Sequence, residues 1–168
     1  TTLFRSRKQS FVYHSVNPMT DERLKEKFKD FLSNGVSGET CRLYVSVNKR
    51  DEEKTKKALM VELITKDNIK LSRIAATTAS LCAKKENAAE NKWMFDFDIN
   101  DESKLKEFVR DIKDLNVVSH IETHRTAHGY AVIVEHGFDT RKLLEKWGKD
   151  VELKRDDMLL VYWDTKEK

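Results

Sequence analysis

The residues of this sequence best suited to chemistry are two aspartates on one predicted strand. Between Lys92 and Asn100, apolar and acidic side chains alternate with a period of two, which is typical of a half-buried strand. Asp96 and Asp98 are therefore expected on one face, roughly 6.5–7 Å apart. Two carboxylates on an otherwise apolar strand need compensation, either by solvent or by a divalent cation that would permit metal-assisted chemistry.

The chain from Lys92 onward predicts the order strand, helix, strand, strand, helix, strand. This order is that of the split βαβ plan found in ferredoxin-like and RNA-recognition-like folds. In that plan the first and third strands are central and both helices cover one face, so Asp96 and Asp98 would lie on the other, open face. The predicted elements after the first strand are a helix at 101–115, strands at 117–123 and 129–135, a helix at 138–147 and a strand at 158–163.

The N-terminal half predicts an α/β elaboration packed on that core. Its apolar periodicities indicate strands at 8–16 and 41–48 and helices at 20–33, 51–66 and 69–83. We therefore predict an α+β protein with an elaboration over residues 1–88 and a βαββαβ core over residues 89–168. A polar connector, residues 84–91, separates the two.

Composition limits the class of protein. The 168 residues carry a net charge of +3 with 36% charged residues, which permits local basic patches but does not by itself imply nucleic acid. Cys41 and Cys82 lack zinc-like spacing and are expected to be reduced thiols. No stretch resembles a signal peptide or a bilayer-spanning segment, so we predict a cytoplasmic protein without a membrane partner.

Basic residues offer candidate phosphate contacts. Lys49 and Arg50 lie between a predicted strand and a helix N-terminus, where a phosphate could bind, although a solvated charged turn is the alternative. Arg42 precedes them on the strand and is a further candidate for binding nucleic acid or phosphate. The N-terminal arm could also contact nucleic acid or a protein partner. Its basic residues are Arg5, Arg7 and Lys8.

Three features of residues 92–163 resemble a known family. They are a hydrophobic strand ending in Asp-x-Asp, a later strand with Gly-Tyr, and an acidic residue before the last strand. Together they are similar to the catalytic core of archaeo-eukaryotic primases and primase-polymerases. The resemblance implies that Asp96, Asp98 and Asp157 act as catalytic ligands of magnesium or manganese, with Asp156 as the alternative third carboxylate. These ions would activate a 3′-hydroxyl and neutralise a triphosphate during nucleotidyl transfer.

The second motif departs from that family. The family has a histidine on the intervening strand that contacts nucleotide phosphates, but Ala131 stands at this position, after Gly129 and Tyr130. His128, at the mouth of the predicted hairpin, is the candidate substitute. The alternative is a catalytically inactive descendant that binds or inhibits a host protein or nucleic acid. The Gly-Tyr segment followed by residues 138–141 also resembles small bacteriophage-encoded proteins.

A second family competes for the same residues. Residues 128–135 partly match the octapeptide on the third strand of RNA-recognition motifs, where aromatic side chains stack on bases. Tyr130 would then be the base-stacking residue. Since Tyr130 and Ala131 point to opposite faces of a strand, the residue that lies beside Asp96 distinguishes the two resemblances. The expected function is nucleotide or nucleic-acid binding, with nucleotidyl transfer or RNA recognition as its possible forms, and an inert solvated sheet as the remaining alternative.

Overall fold

The computed structural model of the protein describes residues 2–6, 10–13, 19–67 and 70–167. Within these residues the chain forms five α-helices and two four-stranded antiparallel sheets, so the predicted α+β class is confirmed. The strands are β1 (Thr2–Arg5), β2 (Ser10–Tyr13), β3 (Thr40–Ser46), β4 (Trp93–Phe97), β5 (Ile121–Arg125), β6 (Tyr130–Val134), β7 (Val151–Lys154) and β8 (Met158–Thr165). The α-helices are α1 (Asp21–Ser33), α2 (Glu52–Thr65), α3 (Ile74–Ala83), α4 (Glu102–Asp114) and α5 (Arg141–Trp147).

The C-terminal sheet has the strand order β5-β6-β4-β7, with β4 and β6 at its centre. Phe95 and Phe97 on β4 are fully buried against α4 and α5. The ring of Phe95 meets that of Phe108 on α4 at 5.4 Å, and the ring of Phe97 meets that of Trp147 on α5 at 5.9 Å. Burying each such side chain stabilises the fold by about 1.5–3 kcal/mol, so this aromatic layer fixes which face of β4 is internal.

The last strand of this sheet differs from the prediction. The short strand β7 pairs with β4, whereas β8, which we predicted to complete the core, pairs with β3 in the other sheet. β7 has only four residues but completes the sheet, and its Val151 and Leu153 pack against the aromatic layer. The predicted division at residues 88 and 89 therefore does not coincide with the sheets, because β8 belongs to the sheet that β1 begins.

The N-terminal sheet has the order β2-β1-β3-β8. Helix α1 covers one face, where Phe28 packs with Phe4 of β1 and with Cys41 and Leu43 of β3. Thr20 begins the helix by accepting a hydrogen bond from the backbone N–H of Arg23. The single strand predicted at 8–16 corresponds in part to β2, and β1 was not predicted. Residues 8–9 and 14–16 of that prediction lie outside the described residues.

The two sheets pack against each other. Met94, Ala131 and Ile133 project from β4 and β6 on the side away from α4 and α5, and they are buried against Leu159 of β8 and against Val45 of β3. The face of the C-terminal sheet that we expected to be open is therefore covered at its centre. An apolar patch of this kind must be buried against a second layer, and the N-terminal sheet supplies that layer.

Helices α2 and α3 form a hairpin that packs mainly on itself. Its far end exposes large apolar side chains, with Ile64 79% and Leu71 83% exposed. No helix among the described residues combines the length and the apolar character needed to cross a bilayer.

Candidate functional site

The two aspartates predicted to share a strand face lie in different environments. Asp96 is within β4, and 30% of its side chain is exposed. Asp98 follows the last residue of β4 and is exposed, and its backbone N–H donates to the carbonyl oxygen of Asp150 at 2.9 Å. Of these two aspartates, only Asp96 lies within the strand, and its side chain is on the face opposite Phe95 and Phe97.

An ammonium group lies beside Asp96. Nζ of Lys154 donates a hydrogen bond to Oδ2 of Asp96 at 2.7 Å, and it lies 3.8 Å from Oδ2 of Asp157 and 3.6 Å from Oε2 of Glu152. Burial on its own would lower the pKa of Lys154, but the hydrogen bond to Asp96 and the three carboxylates raise the pKa overall. Lys154 is therefore protonated at neutral pH and supplies the positive charge that the sequence prediction assigned to a metal ion.

Two of the three predicted metal ligands thus meet around one cation, and that cation is a lysine. Asp157 also accepts a hydrogen bond from the backbone N–H of Met158 at 2.8 Å. In the part of the chain that the structure describes, no three His, Cys, Asp or Glu side chains are grouped to hold a metal ion. Binding of magnesium or manganese by Asp96, Asp98 and Asp157 stays a prediction, and in this geometry it would require displacement of Lys154.

The register of β6 distinguishes the two predicted resemblances. Ala131 lies directly opposite Asp96, and Tyr130 lies opposite Phe97 on the side of the helices. Gly129 holds this register, because a Cβ at that position would overlap the carbonyl oxygen of Phe97. The aromatic side chain needed for base stacking in the RNA-recognition alternative is consequently not on the face of Asp96.

Tyr130 and His128 have separate surroundings. The hydroxyl oxygen of Tyr130 accepts a hydrogen bond from Arg125 at 3.0 Å, and the guanidinium carbon of Arg125 lies 5.3 Å from the centre of the Tyr130 ring. His128 is exposed in the turn between β5 and β6. Among the described residues, neither side chain forms a hydrogen bond or ion pair with Asp96 or Lys154, so the predicted phosphate contacts are not gathered around the carboxylates.

Arg50, a predicted phosphate ligand, is engaged by a carboxylate of its own chain. Its Nη1 and Nη2 atoms each donate to one oxygen of Asp156 at 3.1 Å, and only 12% and 11% of the two side chains are exposed. The same carboxylate accepts a hydrogen bond from the buried amide of Asn48 at 3.1 Å. Such a bidentate pair leaves Arg50 little capacity for a phosphate. Lys49, its neighbour, is exposed.

Arg42, the remaining predicted contact, lies in a row of side chains across the N-terminal sheet. It is directly opposite Arg5 of β1 on one side and Trp163 of β8 on the other. Phe4 and Leu43 face α1, and so does Tyr162, whose ring meets that of Phe28 at 5.0 Å. The neighbouring residues in each strand therefore face the opposite way, toward the outside of the sheet.

Among the described residues, the two arginines of this row have neither a hydrogen-bond partner nor an ion-pair partner for their guanidinium groups. Like charges placed directly opposite each other on neighbouring strands are destabilising. Trp163 completes the row with 37% of its surface exposed. Two adjacent cations beside an accessible indole are the kind of surface that an anion with aromatic groups would stabilise.

A second row lies beside the first on the same outer face. It places Leu3, Tyr44 and Leu160 directly next to one another across β1, β3 and β8, and all three side chains are half-buried. The two rows together are called the arginine face below. The residues of the arginine face are Leu3, Arg5, Arg42, Tyr44, Leu160 and Trp163.

Comparison with known proteins finds no match. No family model, no curated protein and no solved structure matches this chain.

The sequence prediction found part of the arginine face but not the face itself. Arg42 was a candidate on its strand, and Arg5 was assigned to a basic arm together with Arg7 and Lys8, which lie outside the described residues. Trp163 was assigned to a strand of the other sheet and was not a candidate. The available signal was the alternation along residues 41–46, which places Arg42 and Tyr44 on one side.

Proposed function

We propose that the protein binds single-stranded nucleic acid on its arginine face. The observation that carries this proposal is the uncompensated pair of Arg5 and Arg42, with Trp163 in the same row. Phosphate oxygens would relieve the repulsion between the two guanidiniums and accept their hydrogen bonds, often two at a time.

Trp163 indicates that the ligand also carries an aromatic group. Its exposed indole can stack on a nucleobase, and base–aromatic stacking is worth about 1–3 kcal/mol per base. A base can reach an aromatic side chain on a sheet only when it is not stacked within a duplex, which favours single strands over double helices. The half-buried Tyr44, beside Arg42 in the second row, extends the apolar surface under such a strand.

This proposed activity is separate from the carboxylates of the C-terminal sheet. Asp96 is paired with Lys154, and 72% of the Glu152 side chain and 46% of the Asp157 side chain are exposed to solvent, so the ammonium group and water together stabilise these carboxylates. Nucleotidyl transfer with bound magnesium or manganese stays a prediction from the family resemblance. Binding at the arginine face requires no metal ion.

Fluorescence anisotropy with labelled single-stranded oligonucleotides, DNA and RNA, tests the proposal. Arg42→Gln should weaken binding and reduce the slope of log K against log salt by about 0.7, the value for one lost phosphate contact on a single strand. Trp163→Leu should weaken binding by about 1–3 kcal/mol with little change of that slope. Arg110→Gln, on the exposed side of α4, removes the same charge elsewhere and serves as the matched control.

The outcomes are distinct. If Arg110→Gln weakens binding as much as Arg42→Gln does, the protein attracts nucleic acid only through its overall charge, and the arginine face is not the site. If the unaltered protein binds neither oligonucleotide at low salt, the proposal is wrong. Preference for a matching duplex over the single strand would contradict the role given to Trp163.

A further inference from the structure

The N-terminal sheet ends at a strand whose outer edge has no partner strand among the described residues. β8 is the last strand in the order β2-β1-β3-β8, and its eight residues make it the longest strand among the described residues. Val161, Tyr162 and Trp163 in its middle are 41%, 51% and 37% exposed. The backbone N–H and C=O groups on its outer side are therefore available to another extended chain.

The edges of the C-terminal sheet are protected by charge, and this edge is not. β5 carries Glu122, His124 and Arg125, and β7 is a strand of four residues that carries Glu152 and Lys154. From Met158 to Trp163, β8 has neither a charged residue nor a proline. Charges, prolines and short length are among the devices that keep exposed edges from pairing, and β8 lacks all three between Met158 and Trp163.

We infer that β8 pairs antiparallel with β8 of a second copy of this chain. Antiparallel pairing of a strand with itself about its midpoint is a two-fold contact, in which the same edge serves both protomers. The uncharged run of each copy would then lie along that of the other. Asp164, the one charged residue of β8, lies near one end of the strand. The antiparallel arrangement places the two Asp164 side chains at opposite ends, whereas a parallel arrangement would place them together.

β8 has one irregularity at its centre, and an irregularity of this kind increases the local twist of a strand. The register with β3 passes from Leu160 opposite Tyr44 to Tyr162 opposite Leu43, so Val161 has no direct partner on β3. Because Val161 is outside that ladder, a substitution there can change the outer edge while the β3–β8 pairing is retained. The inferred dimer would join two four-stranded sheets into one of eight strands, and the two-fold axis would leave both arginine faces on the same side.

Sedimentation velocity from micromolar to high micromolar concentration tests the inference. The unaltered protein should show a concentration-dependent dimer. Val161→Lys should raise the dimer dissociation constant by about tenfold or more, because two ammonium groups would meet near the two-fold axis. Val61→Lys is the matched control, since Val61 is 59% exposed on α2, among the exposed apolar side chains of the α2–α3 hairpin. It should leave the dimer unchanged.

Two results would overturn the inference. One is an unaltered protein that remains monomeric throughout that concentration range. The other is a dimer that Val61→Lys dissociates and Val161→Lys does not, which would assign the contact to the α2–α3 hairpin. If circular dichroism shows that Val161→Lys is misfolded, Val161→Cys decides. Mild oxidation should link its protomers covalently while Val61→Cys stays monomeric under the same conditions, and failure of that link contradicts the β8 contact.

Discussion

Two arginines eight positions apart in the sequence, Arg42 and Arg50, have opposite surroundings. The guanidinium of Arg50 is mostly buried and held by both oxygens of Asp156. Arg42 lies directly opposite Arg5 on the neighbouring strand, and its guanidinium has no partner among the described residues. Both were candidates for binding phosphate because both are basic. The comparison shows that the charge that the fold leaves uncompensated, and not the residue type, marks the surface available to a ligand.

The carboxylates of the C-terminal sheet belong with Arg50 in this comparison. Asp96 and Asp157 share the ammonium group of Lys154, so part of their negative charge is compensated within the chain. Four experiments sharpen the contrast between these paired charges and the arginine face.

Asp156→Ala should have the largest effect on stability. Among the described residues Asp156 is the only carboxylate paired with Arg50, so this exchange leaves a mostly buried guanidinium without its counter-charge, which typically costs about 3–5 kcal/mol of unfolding free energy. Urea denaturation followed by circular dichroism measures the loss. Asp139→Ala is the control, since Asp139 pairs with Arg141, whose side chain is 89% exposed, and this exchange should cause no comparable loss. Equal losses in the two variants would show that Arg50 is not a compensated buried charge.

Lys154→Met should convert the carboxylates into a cation site. Without the ammonium group, Asp96, Glu152 and Asp157 repel one another, and a divalent cation could relieve that repulsion. Titration calorimetry with manganese should show binding to this variant that the unaltered protein lacks. Lys149→Met, at an exposed position after α5, is the control for net charge. Manganese binding by the unaltered protein at Asp96 would instead show that Lys154 moves aside.

The pH dependence of stability provides a test of Lys154 without metal. Its pKa is raised on folding from an ordinary value of 10.5, so its stabilising contribution is complete below that pH and is lost as the pH rises through the folded-state pKa. The difference in unfolding free energy between the unaltered protein and Lys154→Met should therefore be constant near neutral pH and shrink above about pH 10.5. A difference that does not change with pH would contradict the ion pairing.

Arg42→Gln should have the smallest effect on stability, and the sign should be reversed. Removing one of two adjacent like charges should raise the unfolding free energy by about 0.2–1 kcal/mol at low salt. The gain should vanish near 1 M salt, where screening acts over about 3 Å. Denaturation at two salt concentrations measures it. A variant that is less stable at low salt would show that Arg42 already has a partner.

Local features of the fold could be predicted from the sequence. The helix predicted at 101–115 is α4, Glu102–Asp114, because Leu105, Phe108 and Ile112 recur at helical spacing. The N-cap is Asp101, which accepts hydrogen bonds from the backbone N–H groups of Ser103 and Lys104, whereas the sequence pattern indicates Asn100. The apolar spacing that predicts the helix lies within the helix itself, so the sequence alone carries it.

The choice of partner across the chain could not be predicted in the same way. β7 and β8 both follow α5, and nothing in their residues specifies that β7 joins β4 while β8 joins β3. Arg50 and Asp156 are 106 positions apart, and their pairing depends on that choice of sheet. The candidate site was likewise predicted only in part. Asp96 and Asp157 meet as expected, but they meet around Lys154, and Asp98 lies beyond the end of β4.

The crossing of β8 into the N-terminal sheet bears on how the protein folds as it is synthesised. β1 begins a sheet whose fourth strand, Met158–Thr165, leaves the ribosome last. The four strands of the C-terminal sheet emerge earlier and in close succession, so their pairing does not have to wait for a distant segment. Trp163 thus reaches Arg42 only after the other described strands have emerged, and a nascent chain stalled before β8 would carry two repelling arginines on an incomplete sheet.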